Sequence, residues 1–179
     1  MFSEKALIKS KALLKGLKKH NLRLSVAESC TGGLFSALIT ETPGSSEVFD
    51  RGFVTYSNKS KVDLLTVPTF YLNDYGAVSR ETVIAMAEGA LLMSSANISI
   101  AITGIAGPKG GNENHQIGTV FISCAQKGKN TIYKKYHFSG NRQEIREQSI
   151  DSAMDLLINN IKTIEVEKVT VNSDNLAFA

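Results

Sequence analysis

Residues 22–39, LRLSVAESCTGGLFSALI, decide the fold. Leu22, Leu24 and Val26 alternate as a short strand, and Gly32-Gly33 then lead into Leu34 to Ile39, an apolar helix that Pro43-Gly44 terminates. A strand thus feeds a helix through a glycine turn, the repeating step of an α/β sheet. In open sheets of this kind ligands collect at the carboxyl ends of the strands, where glycine turns gather backbone N–H groups and helix amino termini. The segment Ala27-Glu28-Ser29-Cys30-Thr31-Gly32-Gly33 occupies such a position.

Working outward, Ala6, Leu7, Ser10, Leu13, Leu14 and Leu17 recur at spacings of three and four, which predicts an amphipathic outer helix over residues 4–20 with lysines opposite. Arg51 to Tyr56 reads as a second strand, followed by a short helix carrying Val62, Leu64 and Leu65. Tyr75 to Ser79 is a turn, and Ser79 is the expected N-cap of a helix from Arg80 to Ala96. Ile98 to Thr103 is a buried strand that ends in the glycine-rich stretch Gly104 to Gly111. Thr119 to Ala125 and Thr131 to Phe138 form a hairpin around Lys127 to Asn130. Ser139 to Arg142 opens a last helix with Ile145, Ile150, Met154, Leu157, Ile158 and Ile161, beyond which the period fades. The expectation is an α/β fold, a three-layer α/β/α sandwich with a mixed central sheet. One domain spans residues 1–163, and residues 164–179 are a loose tail or an added strand.

Composition narrows the function classes. A chain of 179 residues supports one substantial core, and an apolar fraction of 42% with 21% charged residues is ordinary for a globular domain. No stretch approaches the roughly 18 apolar residues of a membrane span, and the amino terminus carries no apolar signal core. Cytoplasmic localisation is expected. Cys30 and Cys124 are too few for a disulfide scaffold, and the three histidines offer no metal-ligand spacing. Net charge is only +3, and Lys5, Lys9, Lys11, Lys15, Lys18, Lys19 and Arg23 crowd the first segment without interleaved aromatics. That pattern suits a solvated helix face better than a nucleic-acid surface.

Three segments fit a ligand site: Glu28 to Gly33, Gly104 to Gly111, and Ser139 to Arg142. Neither a Walker A motif nor GxGxxG is present, which leaves triphosphate and dinucleotide sites without support. Ser29 alone reads equally as a turn or capping serine. As a nucleophile it needs a base, and His20, His115 and His137 are poorly placed for that task. Lys61, just past the second strand, is the alternative. A lysine of ordinary pKa, about 10.4, is neutral in only about one molecule in a thousand near pH 7, so burial or a neighbouring cation such as Arg51, Lys59 or Arg142 must lower it. Cys30 competes with Ser29 as a nucleophile, and also reads as a small buried packing residue.

Taken in order, AESCTGG, TPGSS, RGFVTYSNKSK, YGAVS, TGIAGPKGG, GTVFI and FSGNR resemble the CinA carboxy-terminal domain family, which includes stand-alone nicotinamide mononucleotide amidohydrolases. The match runs from about residue 5 to residue 160. The resemblance implies hydrolysis of nicotinamide mononucleotide to nicotinate mononucleotide and ammonia, a salvage step in pyridine nucleotide recycling, without metal or cofactor. It implies Ser29 as nucleophile, Lys61 as general base, and Tyr56 as a hydroxyl that relays the proton or orients the lysine. Thr31, Gly32 and Gly33 are implied oxyanion and ligand contacts. Ser46, Thr103, Gly104, Gly107 and Arg142 are placed around the ribose phosphate, Arg142 because a planar guanidinium donates two hydrogen bonds to an anion. A homodimer or other homo-oligomer is expected. Competing functions are a non-catalytic nucleotide-binding protein linked to competence or DNA damage, an amidohydrolase of another pyridine nucleotide amide, and a nucleic-acid-associated protein.

Overall fold

The computed structural model describes residues 2–111 and 115–176, with side chains as far as Lys162. The elements are α1 (Glu4–Lys19), β1 (Leu24–Glu28), α2 (Leu34–Glu41), β2 (Phe49–Val54), α3 (Asn58–Leu65), α4 (Thr69–Asp74), α5 (Arg80–Leu92), β3 (Ile98–Gly104), β4 (Thr119–Gln126), β5 (Ile132–His137) and α6 (Arg142–Leu176). Five strands form one sheet in the order β2-β1-β3-β4-β5. β1 pairs in parallel with both β2 and β3, and β4 and β5 continue antiparallel. The sheet is mixed, as expected.

Helices cover both faces. α1, α2 and α6 pack on one, and α3, α4 and α5 on the other. β1 is central, so every one of its residues is buried. Leu24 and Val26 enter the core under α1, α2 and α6, whereas Ala27 enters the core under α5. Ser25 is buried on that second face and donates its hydroxyl to Ala90 O. The alternation read from Leu22, Leu24 and Val26 therefore divides two cores, not core from solvent, and Leu22 itself precedes the strand.

Several boundaries differ from expectation. β2 covers Phe49–Val54, so Tyr56 lies beyond the strand in the turn before α3. α5 stops at Leu92, and α4 lies in a stretch with no assigned expectation. The largest difference is at the carboxyl end, where α6 continues as helix to Leu176 in place of a loose tail or strand. Residues 142–176 contain neither Pro nor Gly, and once a helix is nucleated each further residue adds one backbone hydrogen bond. Residues 177–179 lie outside the described set. α6 starts on a strong cap: Asn141 Oδ1 accepts from Gln143 N at 2.9 Å and Glu144 N at 3.1 Å, while Glu144 Oε2 accepts from Asn141 N at 2.7 Å. No helix among the described residues is long and apolar enough to cross a membrane.

Candidate active site

The chain places Ser29 immediately after β1, at the carboxyl end of the parallel strands. Its N–H donates to Ile102 O of β3 at 2.9 Å, which ties the residue to the end of the sheet. Glu28, the last residue of β1, is fully buried and turns back onto α2: its two carboxylate oxygens accept from Phe35 N (3.0 Å), Ser36 N (2.9 Å) and Ser36 Oγ (2.7 Å). Leu34 N donates to Thr31 O at 3.2 Å. The first N–H groups of α2 are thus consumed inside the protein, and a ligand anion finds no donors at that helix terminus.

Lys61 approaches from the other side of the strand ends. α3 begins with a capping box in which Ser57 Oγ accepts from Ser60 N and Ser60 Oγ accepts from Ser57 N. Lys61 follows in the next position and points inward. It is 1% exposed, its Nζ lies 3.1 Å from Ser29 Oγ, and it donates to Thr55 O at 2.7 Å. Thr55 is itself fixed, since its N–H donates to Glu28 O at 2.7 Å. None of the ion pairs among the described residues includes Lys61. Burial pulls its pKa down from the usual lysine range to about 8. At pH 7 about one such amine in ten is neutral. The cations expected to help do not: Arg51 is engaged by Asp50, Lys59 by Asp63, and Arg142 by Gly107 and Tyr56. Desolvation alone lowers Lys61.

Cys30, beside the nucleophile candidate, goes the opposite way. Burial pushes its thiol up to about 12, which removes the thiolate at neutral pH.

Ser29, Cys30, Tyr56, Lys61, Thr103, Gly104, Gly107, Lys109 and Arg142 line one cavity of about 260 Å³, completed by Ala77, Val78, Ile105, Ala106 and Gly110. Arg142 spans its rim, donating through Nη1 to Gly107 O at 2.7 Å and through Nη2 to Tyr56 Oη at 3.0 Å. Tyr56 is 62% exposed and meets Arg142, not Lys61, so the arrangement gives it no direct hold on the lysine. Thr103 donates its hydroxyl to Ala77 O at 2.8 Å, bracing the turn before α5. At Gly104 the built Cβ would fall 2.7 Å from Thr119 O, so this glycine is required by the close approach of β4 as well as by the cavity.

Four of the expected contacts lie outside the lining of this cavity. Thr31, Gly32 and Gly33 are not walls of the cavity; they stand behind Ser29, and Gly32 N–H is already given to Ser29 O at 3.1 Å. Ser46 is not brought to the others within one chain. It sits exposed in the short 3-10 turn Ser45–Glu47 ahead of β2, whose first residue pairs with Leu24. That is the opposite end of β1, about 16 Å of strand from Ser29. Conversely, Thr55, Glu28, Lys109 and Arg146 belong to the site or its support; Glu28 and Lys109 fall within the candidate segments without a role of their own, and Thr55 and Arg146 are not singled out by the sequence. The one available signal was spacing: Arg146 falls four residues after Arg142, on the same helix face. Among the described residues no cluster of His, Cys, Asp and Glu can hold a metal ion.

Comparison with known proteins agrees with this architecture. The model of the CinA C-terminal domain matches residues 8–161. A CinA-like protein of Geotalea uraniireducens is 47% identical over 154 residues, covering 86% of this chain and 36% of the relative. A CinA-like protein of Endomicrobium trichonymphae is 47% identical over 141 residues, 79% of this chain and 33% of the relative. The chain spans about a third of the length of the curated relatives it matches. Among solved structures, the competence/damage inducible protein CihA from Agrobacterium tumefaciens superposes with a TM-score of 0.87 at 40% identity, covering 89% of this chain and 97% of that one. With its sheet order, its strand-end cavity and a family match over most of its length, the chain belongs to the CinA C-terminal domain family.

Proposed function

We propose that the chain hydrolyses the carboxamide of nicotinamide mononucleotide, releasing nicotinate mononucleotide and ammonia, as a salvage step in the cytoplasm. The observation that carries the proposal is the pair formed by Ser29 Oγ and a buried Lys61 whose pKa is near 8, 3.1 Å apart. A neutral amine accepts the Ser29 proton as Oγ adds to the carboxamide carbon. The oxyanion forms on the cavity wall beside Cys30, the residue that follows the nucleophile. The protonated Lys61 then gives its proton to the departing nitrogen, which leaves as ammonia from a nicotinoyl ester of Ser29. Water, deprotonated by Lys61, cleaves the ester; nicotinate mononucleotide departs and Ser29 regains its proton.

Arg142 and Lys109, both walls of the cavity, supply positive charge for the phosphate. With the amino end of α2 occupied by Glu28, the anion belongs on this opposite rim. Gly107 O holds Arg142 in place and Tyr56 holds its second nitrogen, so Tyr56 serves the phosphate side more directly than the lysine. The activity is tested by incubating purified protein with nicotinamide mononucleotide and separating the products chromatographically. Nicotinate mononucleotide with equimolar ammonia supports the proposal. A folded protein that binds the nucleotide without converting it supports the non-catalytic binding role instead.

A further inference from the structure

Arg146 stands one helical turn beyond Arg142 on α6 and takes no part in the chemistry proposed above. Its Nη2 donates to Thr31 O at 2.6 Å, joining residues 115 positions apart. The other end of the same peptide unit is Gly32 N–H, which donates to Ser29 O at 3.1 Å. The Thr31–Gly32 peptide is therefore gripped at both ends, by a guanidinium on its oxygen and by the nucleophile candidate's own carbonyl on its hydrogen. Rotation of that peptide breaks both bonds together.

Beyond these two bonds, Thr31 O also accepts from Leu34 N at 3.2 Å, at the start of α2. Gly32 and Gly33 adopt φ of +57° and +90°, and neither has a side chain to restrain it. A Cβ built on Gly32 would lie 3.8 Å from Arg146 Nη2, so the guanidinium packs directly on the glycine. Arg146 Nε is buried with no acceptor among the described residues. A buried donor left so costs about 1–3 kcal/mol, which indicates a placement set by the turn and not by the stability of the fold. The charge also reaches the reaction centre: burial raises the Cys30 thiol, and the Arg146 guanidinium acts on it in the opposite direction.

We propose that Arg146 is a positioning residue for amide hydrolysis at Ser29, holding the Thr31–Gly32 peptide and through it the Ser29 main chain in the geometry from which Oγ attacks. The proposal rests on the amidohydrolase reading, and its test separates the two. In the full chain, Arg146→Ala is expected to lower kcat for nicotinamide mononucleotide by about 100-fold with KM changed less than about threefold. Guanidinium ion at sub-denaturing concentration should restore at least about tenfold of the loss, and Arg146→Lys should recover only part, since an ammonium lacks the planar fork. The acidic limb of the pH profile should stay where it is, because Lys61 is untouched. Amide hydrogen exchange at Gly32 should quicken in Arg146→Ala while β1 and β3 keep their protection.

Unchanged exchange at Gly32 together with kcat within twofold of wild type overturns the proposal, as does a loss of protection spread across the whole sheet. A wild-type protein that releases no ammonia sinks the substrate reading, and exchange at Gly32 still decides whether Arg146 holds the turn.

Discussion

Lys61 Nζ lies 3.1 Å from Ser29 Oγ although 32 residues separate them, and no carboxylate accompanies the pair among the ion pairs of the described residues. Burial is the largest influence on the amine, outweighing an opposing one from Cys30, and it acts in a definite direction: it disfavours the charged form and so prepares a base.

The pH dependence follows from that direction. kcat/KM for nicotinamide mononucleotide should rise about tenfold per pH unit below about 7 and level off above about 8, as Lys61 loses its proton. Initial rates from pH 5.5 to 9.5 check this; a rate independent of pH across that range removes Lys61 as the base.

Stability should carry the same signature with its own sign. Because the folded pKa of Lys61 lies below the unfolded value of 10.5, the unfolded chain binds more protons between about 8 and 10.5, and the burial cost is relieved as pH rises through that window. A Lys61→Met variant lacks this contribution. Its stability relative to wild type should therefore fall by up to about 3 kcal/mol between pH 7 and pH 10.5. Urea denaturation at the two pH values measures the difference, and a constant gap contradicts it.

Cys30 should be a bystander. With its thiol pushed up to about 12 and its side chain buried, it should resist iodoacetamide at pH 7.5, and Cys30→Ala should retain most of the activity. Inactivation by alkylation at Cys30 at the rate of an exposed thiol would transfer the nucleophile's role to it.

Glu28 is predicted to matter for stability as well as for geometry. Glu28→Ala leaves two α2 N–H groups and the Ser36 hydroxyl without their buried acceptor. A loss of about 3 kcal/mol is expected, which for a domain of this size lowers Tm by about 6–12 °C. Calorimetry showing a change below about 1 °C would mean that α2 is capped by something other than this carboxylate.

The sheet and most helices were legible because their periods are strong: Ser79 caps α5 as its position suggested, and Ile98 to Thr103 is a buried strand. β1 misled in detail because a central strand faces two cores, so Ser25 and Ala27 are as buried as Leu24 and Val26. Ser29 and Lys61 were readable from their motifs, and their proximity was not, since it depends on Thr55 and the α3 cap. The glycine turn reads in the sequence as a row of ligand donors, and the fold places it outside the cavity lining. Gly32 N–H is given to Ser29 O, and Thr31 O accepts from Leu34 N and Arg146 Nη2, contacts that only the folded chain brings together; Ser46 stands beside a glycine turn at the other end of the strand.

The central claim is that Ser29, activated by Lys61, cleaves an amide. Its most direct test is the initial rate of ammonia release from nicotinamide mononucleotide at pH 8 by wild type and Ser29→Ala, with folding of both verified by circular dichroism. Steady release by wild type and a rate at least about 1,000-fold lower in the variant is the predicted result. Equal rates in the two proteins, or no release by a folded wild type, would contradict it.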